Sequence, residues 1–185
     1  MKPHFAKIYL GEIIMQADMT VPIVHNMNVA VNQGRTIEAF GLLHYLLIHA
    51  GIVSRILWPP AKKAPRVRRA RELREMLGVD DTHTLADRRL RNHLEHYDER
   101  LDSWVKESVR HGFVDRWIGP RAGIQGVDDK DIFRLFDPVE KVFIFRGESY
   151  AIQGLVDSLD DIRELAMKAH CRAEYEGHRR SRGRS

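Results

Sequence analysis

Apolar positions recur at helical spacing over most of the chain. One predicted face of the first helix carries Phe5, Ile8, Tyr9, Ile13 and Ala17. Pro22 either lies in the first turn of a second helix that Thr20 caps, or bends one long helix. From Thr36 to Trp58 the chain is apolar nearly all round. Because two histidines and an arginine interrupt this stretch, we expect a central buried helix rather than a membrane span.

A heptad-like seam marks the next long helix, which is predicted to begin near Leu85 and to continue past Trp104. Its apolar positions alternate steps of four and three residues: Leu90, Leu94, Tyr97, Leu101 and Trp104. Seams of this kind are typical of helix bundles.

The pattern changes after Trp117. Short apolar runs at Ile132 to Phe136 and Lys141 to Phe145 flank an Asp-Pro turn, which predicts a β-hairpin. A last amphipathic helix follows. The predicted fold class is therefore mainly α: an up-and-down helical bundle with a small β-hairpin insertion before the last helix. We expect one domain over residues 1–175, with the hairpin around 132–146, and a basic disordered tail over 176–185.

Composition adds little to this outline. The formal net charge is +4 and the sequence pI is about 9.3, which suits a polyanionic partner without requiring one. The single cysteine, Cys171, cannot form an internal disulfide and fits a reducing compartment. Since the first residues also lack a secretory pattern, a cytoplasmic location is expected.

The candidate chemistry lies in the run Arg91-Asn92-His93-Leu94-Glu95-His96. Arginine can brace a phosphate with two hydrogen bonds, and histidine can move protons near neutral pH. Asn92 and His96 share one helix face, which also carries Glu99 and Ser103, whereas Arg91 lies on the opposite margin of the buried seam. His93 is at the edge of the seam and is interpreted as structural. Arg91 and His96 can therefore act together only if the arginine bends round or a second copy of the helix faces the first, which predicts a dimer.

This Arg-Asn-x-x-x-His run, on a late helix of a mainly helical domain, resembles the signature of the HEPN superfamily. The resemblance implies a bundle that forms a homodimer through the motif helix and, for active members, a metal-independent endoribonuclease acting on RNA. The RNA 2′-hydroxyl would attack the adjacent phosphate and leave a cyclic phosphate end. His96 would move the proton, Arg91 would stabilise the charged phosphorane, and Asn92 would orient the pair.

Many relatives in this superfamily are toxins, defence effectors or RNA-processing proteins, and an antitoxin partner is expected for the toxins. One toxin branch has a tyrosine two residues after the histidine. Here Tyr97 follows His96 directly and Asp98 takes the next place, so Tyr97 is interpreted as a core residue.

Cations are dense between Lys62 and Arg74, just before the motif. The predicted phosphate contacts are Arg66, Arg68, Arg69 and Arg88. The alternative interpretation of this run is a solvated linker and helix face. We expect no metal or cofactor, because the sequence contains no Glu-x-x-His pair of the di-iron type and no His-Glu-x-x-His.

Two other functions stay open. The first is a non-catalytic helical module that binds RNA, a nucleotide or a protein. The second is a helix-turn-helix DNA-binding protein, with Arg71 to Gly78 and Leu85 to His93 as its two helices and the hairpin as a wing. An unbroken helix from about Leu85 to about Val109 would favour the bundle over this second alternative.

Overall fold

The computed structural model describes residues 1–60, 64–87, 89, 92 and 95–182, of which 176–182 are described by backbone alone. The helices are α1 (Pro3–Asn32), α2 (Thr36–Leu57), α3 (Ala64–Leu77), α4 (Tyr97–Glu107) and α5 (Ile152–Arg182). The strands are β1 (Trp117–Ile118), β2 (Leu135–Asp137), β3 (Val142–Phe145) and β4 (Glu148–Ala151). The mainly α class with a small β insertion before the last helix is confirmed.

The chain divides into two compact units. Unit 1 comprises Met1–Val21, Ile48–Asp87 and Val156–Ser185, and unit 2 comprises Pro22–Leu47 and Arg88–Leu155. Helices α1, α2 and α5 contribute residues to both. The division into units does not test the domain bounds, so the single domain over 1–175 stays a prediction.

In unit 1, α1 buries a face slightly different from the predicted one. Ile13 and Ala17 are buried as expected, but Phe5 is 51% exposed and Ile8 is 58% exposed. The buried positions that replace them are Ala6 and Leu10. The buried face of α1 therefore carries Ala6 and Leu10, while Phe5 and Ile8 face solvent.

Helix α1 is continuous from Pro3 to Asn32 with Pro22 inside it, so the one-helix alternative is right. Its unit 1 part runs antiparallel to α5. The Lys7 ammonium lies 2.8 Å from the Glu174 carboxylate, and further along α1 the carboxylate of Asp18 pairs with Arg163. Residue numbers rise along one helix as they fall along the other, which is the expected up-and-down arrangement.

In unit 2 the four strands pair in chain order. Strands β2 and β3 form the predicted hairpin, with Phe136 opposite Phe143, and β4 continues the antiparallel sheet. The turn forms because the Asp137 carboxylate accepts the N–H groups of Val139 at 2.9 Å and Glu140 at 3.2 Å. Strand β1, which pairs parallel with β2, and strand β4 were not predicted.

The predicted long motif helix is interrupted. Thr84–Ala86 is a 3₁₀ turn, in which the His83 ring accepts the N–H of Leu85 at 3.2 Å. Asp87 is extended. The residues at 89, 92 and 95 are helical, but His96 has φ −115° and ψ 40°, and α4 begins after it. The prediction of an unbroken helix from Leu85 to Val109 is therefore wrong. The observation that would have favoured the bundle over the helix-turn-helix interpretation is not made.

The expectation for the C-terminal tail differs from the structure. Helix α5 continues to Arg182, so the backbone of residues 176–182 is helical where a disordered tail was expected.

Helix α2 is long and apolar enough, by length and composition, to cross a membrane. Half of its most apolar 18-residue stretch is buried inside the protein. Core helices of soluble proteins pass the same test, so this observation is weak evidence for a membrane span.

Candidate functional site

The described motif residues lie in unit 2, just before α4. Asn92 is helical and exposed, and its carbonyl accepts the N–H of His96 at 3.1 Å, so one helical turn separates the two residues. The His96 carbonyl in turn accepts the N–H of Arg100 at 3.2 Å. The predicted residues Arg91, Arg88 and His93 lie outside the described residues.

The His96 ring is paired with an acid that the sequence had placed on the same face. Its Nδ1 lies 3.0 Å from Oε1 of Glu99, and the two side chains are 51% and 62% exposed. A carboxylate at this distance favours the tautomer in which Nδ1 carries the hydrogen. In that tautomer Nε2 holds a lone pair and can accept a proton from a substrate. Glu99 therefore belongs to the candidate site, with the role of holding the ring.

Behind the motif lies a cluster of aromatic rings. The Tyr97 ring centroid is 5.6 Å from that of Phe133 and 5.9 Å from that of Phe145, and both phenylalanines are fully buried. Phe133 also contacts Trp104 and Phe113, at 6.2 and 4.8 Å between centroids. Edge-to-face contacts of this kind fix ring orientation as well as burying area. Tyr97 thus packs the start of α4 against the sheet, but its side chain is half-buried rather than part of the fully buried core that was expected.

A part-buried ion pair lies against the Tyr97 ring. Arg134 holds the carboxylate of Asp115 through Nε at 2.6 Å and through Nη2 at 2.5 Å. Its guanidinium carbon is 4.9 Å from the Tyr97 ring centroid. Burial raises the pKa of Tyr97, although the cation beside it opposes the shift. Burial and the charge of Arg134 together lower the pKa of His44, so the neutral form of the His44 imidazole is favoured.

The predicted phosphate contacts divide into two groups. Arg66 and Arg68 are exposed on α3, and Arg68 borders an open groove of about 400 Å³ at the start of that helix. Arg69 instead donates to the carbonyl of Ile56 at 3.1 Å and lies over the Tyr9 ring at 5.0 Å. These contacts satisfy the C-terminal end of α2, where carbonyl groups lack helical partners and attract cations. Arg69 therefore stabilises the end of α2. Its contact with phosphate stays a prediction.

Arg74 does the same at the last residue of α2. Its Nη1 donates to the carbonyl of Leu57 at 2.5 Å, and its guanidinium carbon lies 5.9 Å from the Trp58 ring centroid. Part of the dense cationic run thus supports the fold, as the linker interpretation allowed, and part of it faces solvent.

Over the described ranges, no group of three or more histidine, cysteine, aspartate or glutamate side chains could hold a metal ion. Protein-family models, curated proteins and solved structures were compared with the chain, and none matches it. The proposal for function therefore depends on the motif residues and their surroundings.

Proposed function

We propose that the chain is a metal-independent endoribonuclease of the HEPN type, whose site comprises Arg91, Asn92 and His96. The observation that carries the proposal is the His96–Glu99 pair. An exposed imidazole held by a carboxylate through Nδ1 has the form of a general base that presents Nε2 to a substrate.

The proposed reaction needs no cofactor. Nε2 of His96 removes the proton from an RNA 2′-hydroxyl, and the oxygen attacks the adjacent phosphorus. The bond from phosphorus to the 5′-oxygen breaks, leaving a 2′,3′-cyclic phosphate on one fragment. The 5′-oxygen takes a proton from water and becomes the hydroxyl of the other fragment, and His96 returns its proton to the solvent. Arg91 neutralises the charge that develops on the phosphate oxygens.

The first experiment incubates the purified protein with mixed cellular RNA in EDTA. We expect cleavage, and we expect His96→Ala to slow it on the order of a hundredfold or more. His25→Ala is the matched control, because His25 is also an exposed histidine on a helix, and its rate should equal that of the parent protein. Cleavage that survives both His96→Ala and Arg91→Ala would remove the site assignment. Absence of cleavage would favour the non-catalytic module.

A second experiment tests the shared site. Arg91→Ala and His96→Ala chains are purified separately and then mixed under conditions that allow exchange between copies. If each site takes Arg91 from one copy and His96 from the other, a mixed dimer contains one intact site, and part of the parent rate returns. If each site lies within one chain, the mixture stays as inactive as its components.

A further inference from the structure

The loop that follows α4 in unit 2, residues 108–117, ends with the first residue of β1 and exposes apolar side chains. Val109 is 88% exposed, Phe113 is 46% exposed and Trp117 is 38% exposed. Single exposed apolar residues are normal on a protein surface. Phe113 and Trp117 differ from such residues, because each exposed ring is held in place by its surroundings.

Phe113 is held by other rings. Its centroid lies 5.1 Å from that of Trp104 and 4.8 Å from that of the fully buried Phe133. The Trp104 indole also donates to the carbonyl of Gly112 at 3.1 Å, which fixes the backbone beside Phe113. Phe133 contacts Tyr97 as well. Phe113 is therefore two ring contacts from Tyr97, the residue that follows His96.

Trp117 is held by backbone. A Cβ atom added to Gly119 or to Gly123 would lie 3.2 Å from an atom of the indole ring, closer than nearly all real contacts of that kind. Both glycines thus make room for the indole to pack on the chain itself. The Trp117 N–H also donates to the carbonyl of Arg134 at 2.9 Å, within the pairing of β1 with β2. The ring has a fixed seat, yet more than a third of the side chain stays exposed.

Two arginines neighbour the two rings in the chain. Arg110 precedes Phe113 and Arg116 directly precedes Trp117, and both arginines are exposed. The one acid within the loop, Asp115, is bound by Arg134 through two hydrogen bonds, and Nε of Arg116 lies 3.3 Å from the same carboxylate. His111 and Arg116 also have φ values of 48° and 59°, a left-handed backbone that costs free energy in residues with a side chain. The loop thus keeps a strained backbone close in the chain to each exposed ring.

We propose that Phe113 and Trp117 form a base-stacking platform for single-stranded RNA. Bases stack on aromatic faces whatever their identity, while nearby cations hold the backbone phosphates. Double-stranded RNA keeps its bases stacked inside the helix and would not use the platform. The proposal deepens the proposed ribonuclease function by naming its substrate as unpaired RNA, and it can be tested apart from cleavage.

The experiment measures binding of fluorescein-labelled oligouridine by fluorescence anisotropy, in a His96→Ala background so that the RNA stays intact. We expect Phe113→Leu and Trp117→Leu each to weaken binding roughly tenfold, and Trp117→Phe to keep most of the affinity. Tyr175→Leu is the matched control, because Tyr175 is 71% exposed in unit 1 and its loss should leave binding unchanged. An abasic oligomer of equal length and an RNA duplex are the comparison probes, and circular dichroism checks the fold of each variant.

The probes separate stacking from contact with phosphate alone, on a protein whose loop is unaltered. Weak binding of the abasic oligomer and of the duplex, relative to oligouridine, supports the platform. Equal binding of oligouridine and the abasic oligomer overturns it. Undiminished affinity in both folded leucine variants, or no binding of oligouridine at all, overturns it as well. Because none of these readouts requires cleavage, an inactive protein that binds through the two rings would refute only the ribonuclease.

Discussion

Arg134→Met should destabilise the protein, because it leaves the part-buried Asp115 carboxylate without its main partner. Asp115 is 10% exposed and Arg134 is 29% exposed. Two charge-assisted hydrogen bonds are lost, and a hydrogen bond to a charged group contributes about 1.5–3 kcal/mol. Breaking a fully buried ion pair on one side costs about 3–5 kcal/mol, which is an upper bound for this part-buried pair. The contact of the cation with the Tyr97 ring is lost too, which adds roughly 1 kcal/mol.

One contact reduces this cost. Nε of Arg116 lies 3.3 Å from the same carboxylate, and the Arg116 side chain is half exposed. A pair at such a position contributes up to about 1 kcal/mol. We therefore expect Arg134→Met to lower the free energy of unfolding by about 2 kcal/mol. Removing the acid as well, in Arg134→Met with Asp115→Leu, should recover much of that loss, because no part-buried carboxylate is left without its partner.

The assay is urea unfolding followed by far-ultraviolet circular dichroism at neutral pH. Arg163→Met is the matched control: Arg163 also pairs with an aspartate, Asp18, but the two side chains are 35% and 50% exposed, so its cost should be much smaller. A loss below about 1 kcal/mol in Arg134→Met would contradict the assignment of a part-buried carboxylate whose main partner is Arg134. So would a double variant less stable than Arg134→Met alone.

The other two predictions concern unit 1. Burial lowers the pKa of His83 from its ordinary value of 6.5, and its Nδ1 must be unprotonated to accept the N–H of Leu85. The contribution of His83 to the stability of the protein is therefore complete above pH 6.5 and is lost as the pH falls through the depressed pKa. His83→Phe keeps a ring against Trp58 and should reduce the fall of the urea unfolding midpoint at acid pH. If the midpoint falls with pH as steeply as in the parent protein, the role of His83 is contradicted. Arg74→Met should lower the free energy of unfolding by about 1–2 kcal/mol through its contacts with the α2 carbonyl and Trp58, whereas exposed Arg66→Met should leave it unchanged; equal losses would show that Arg74 does not support the helix end.

Local signals predicted the elements that depend on local chemistry. The Asp137-Pro138 turn could be read because the aspartate side chain bonds to its own backbone two residues on. Strand β4 carried no such signal, since Tyr150 is its one buried residue. Strand β1 has two residues and pairs with β2, a partner distant in the chain. Its existence is decided by tertiary pairing.

The candidate site was predictable to a similar degree. The spacing of His96 and Glu99 could be read from the sequence, and their pairing follows from it. The interruption at His96 could not be predicted, because neither glycine nor proline marks it. Arg69 and Arg74 bind carbonyl groups at the end of α2, whereas other arginines of α3 face solvent. The number of cations in a segment does not show which of them lie against a helix end. The platform residue Trp117 was missed because glycines in a loop predict turns rather than a seat for a ring.

The seat of Trp117 gives the protein an optical reporter of its own. Of its three tryptophans, Trp58 is 6% exposed and stacks on the His83 ring at 5.4 Å, and Trp104 is half-buried among other rings. Trp117 alone is both exposed and packed on bare backbone. Its emission should dominate the fraction that a dissolved quencher such as iodide can reach. Unlabelled protein can therefore report occupancy of this loop by the change in quenching, without any attached dye.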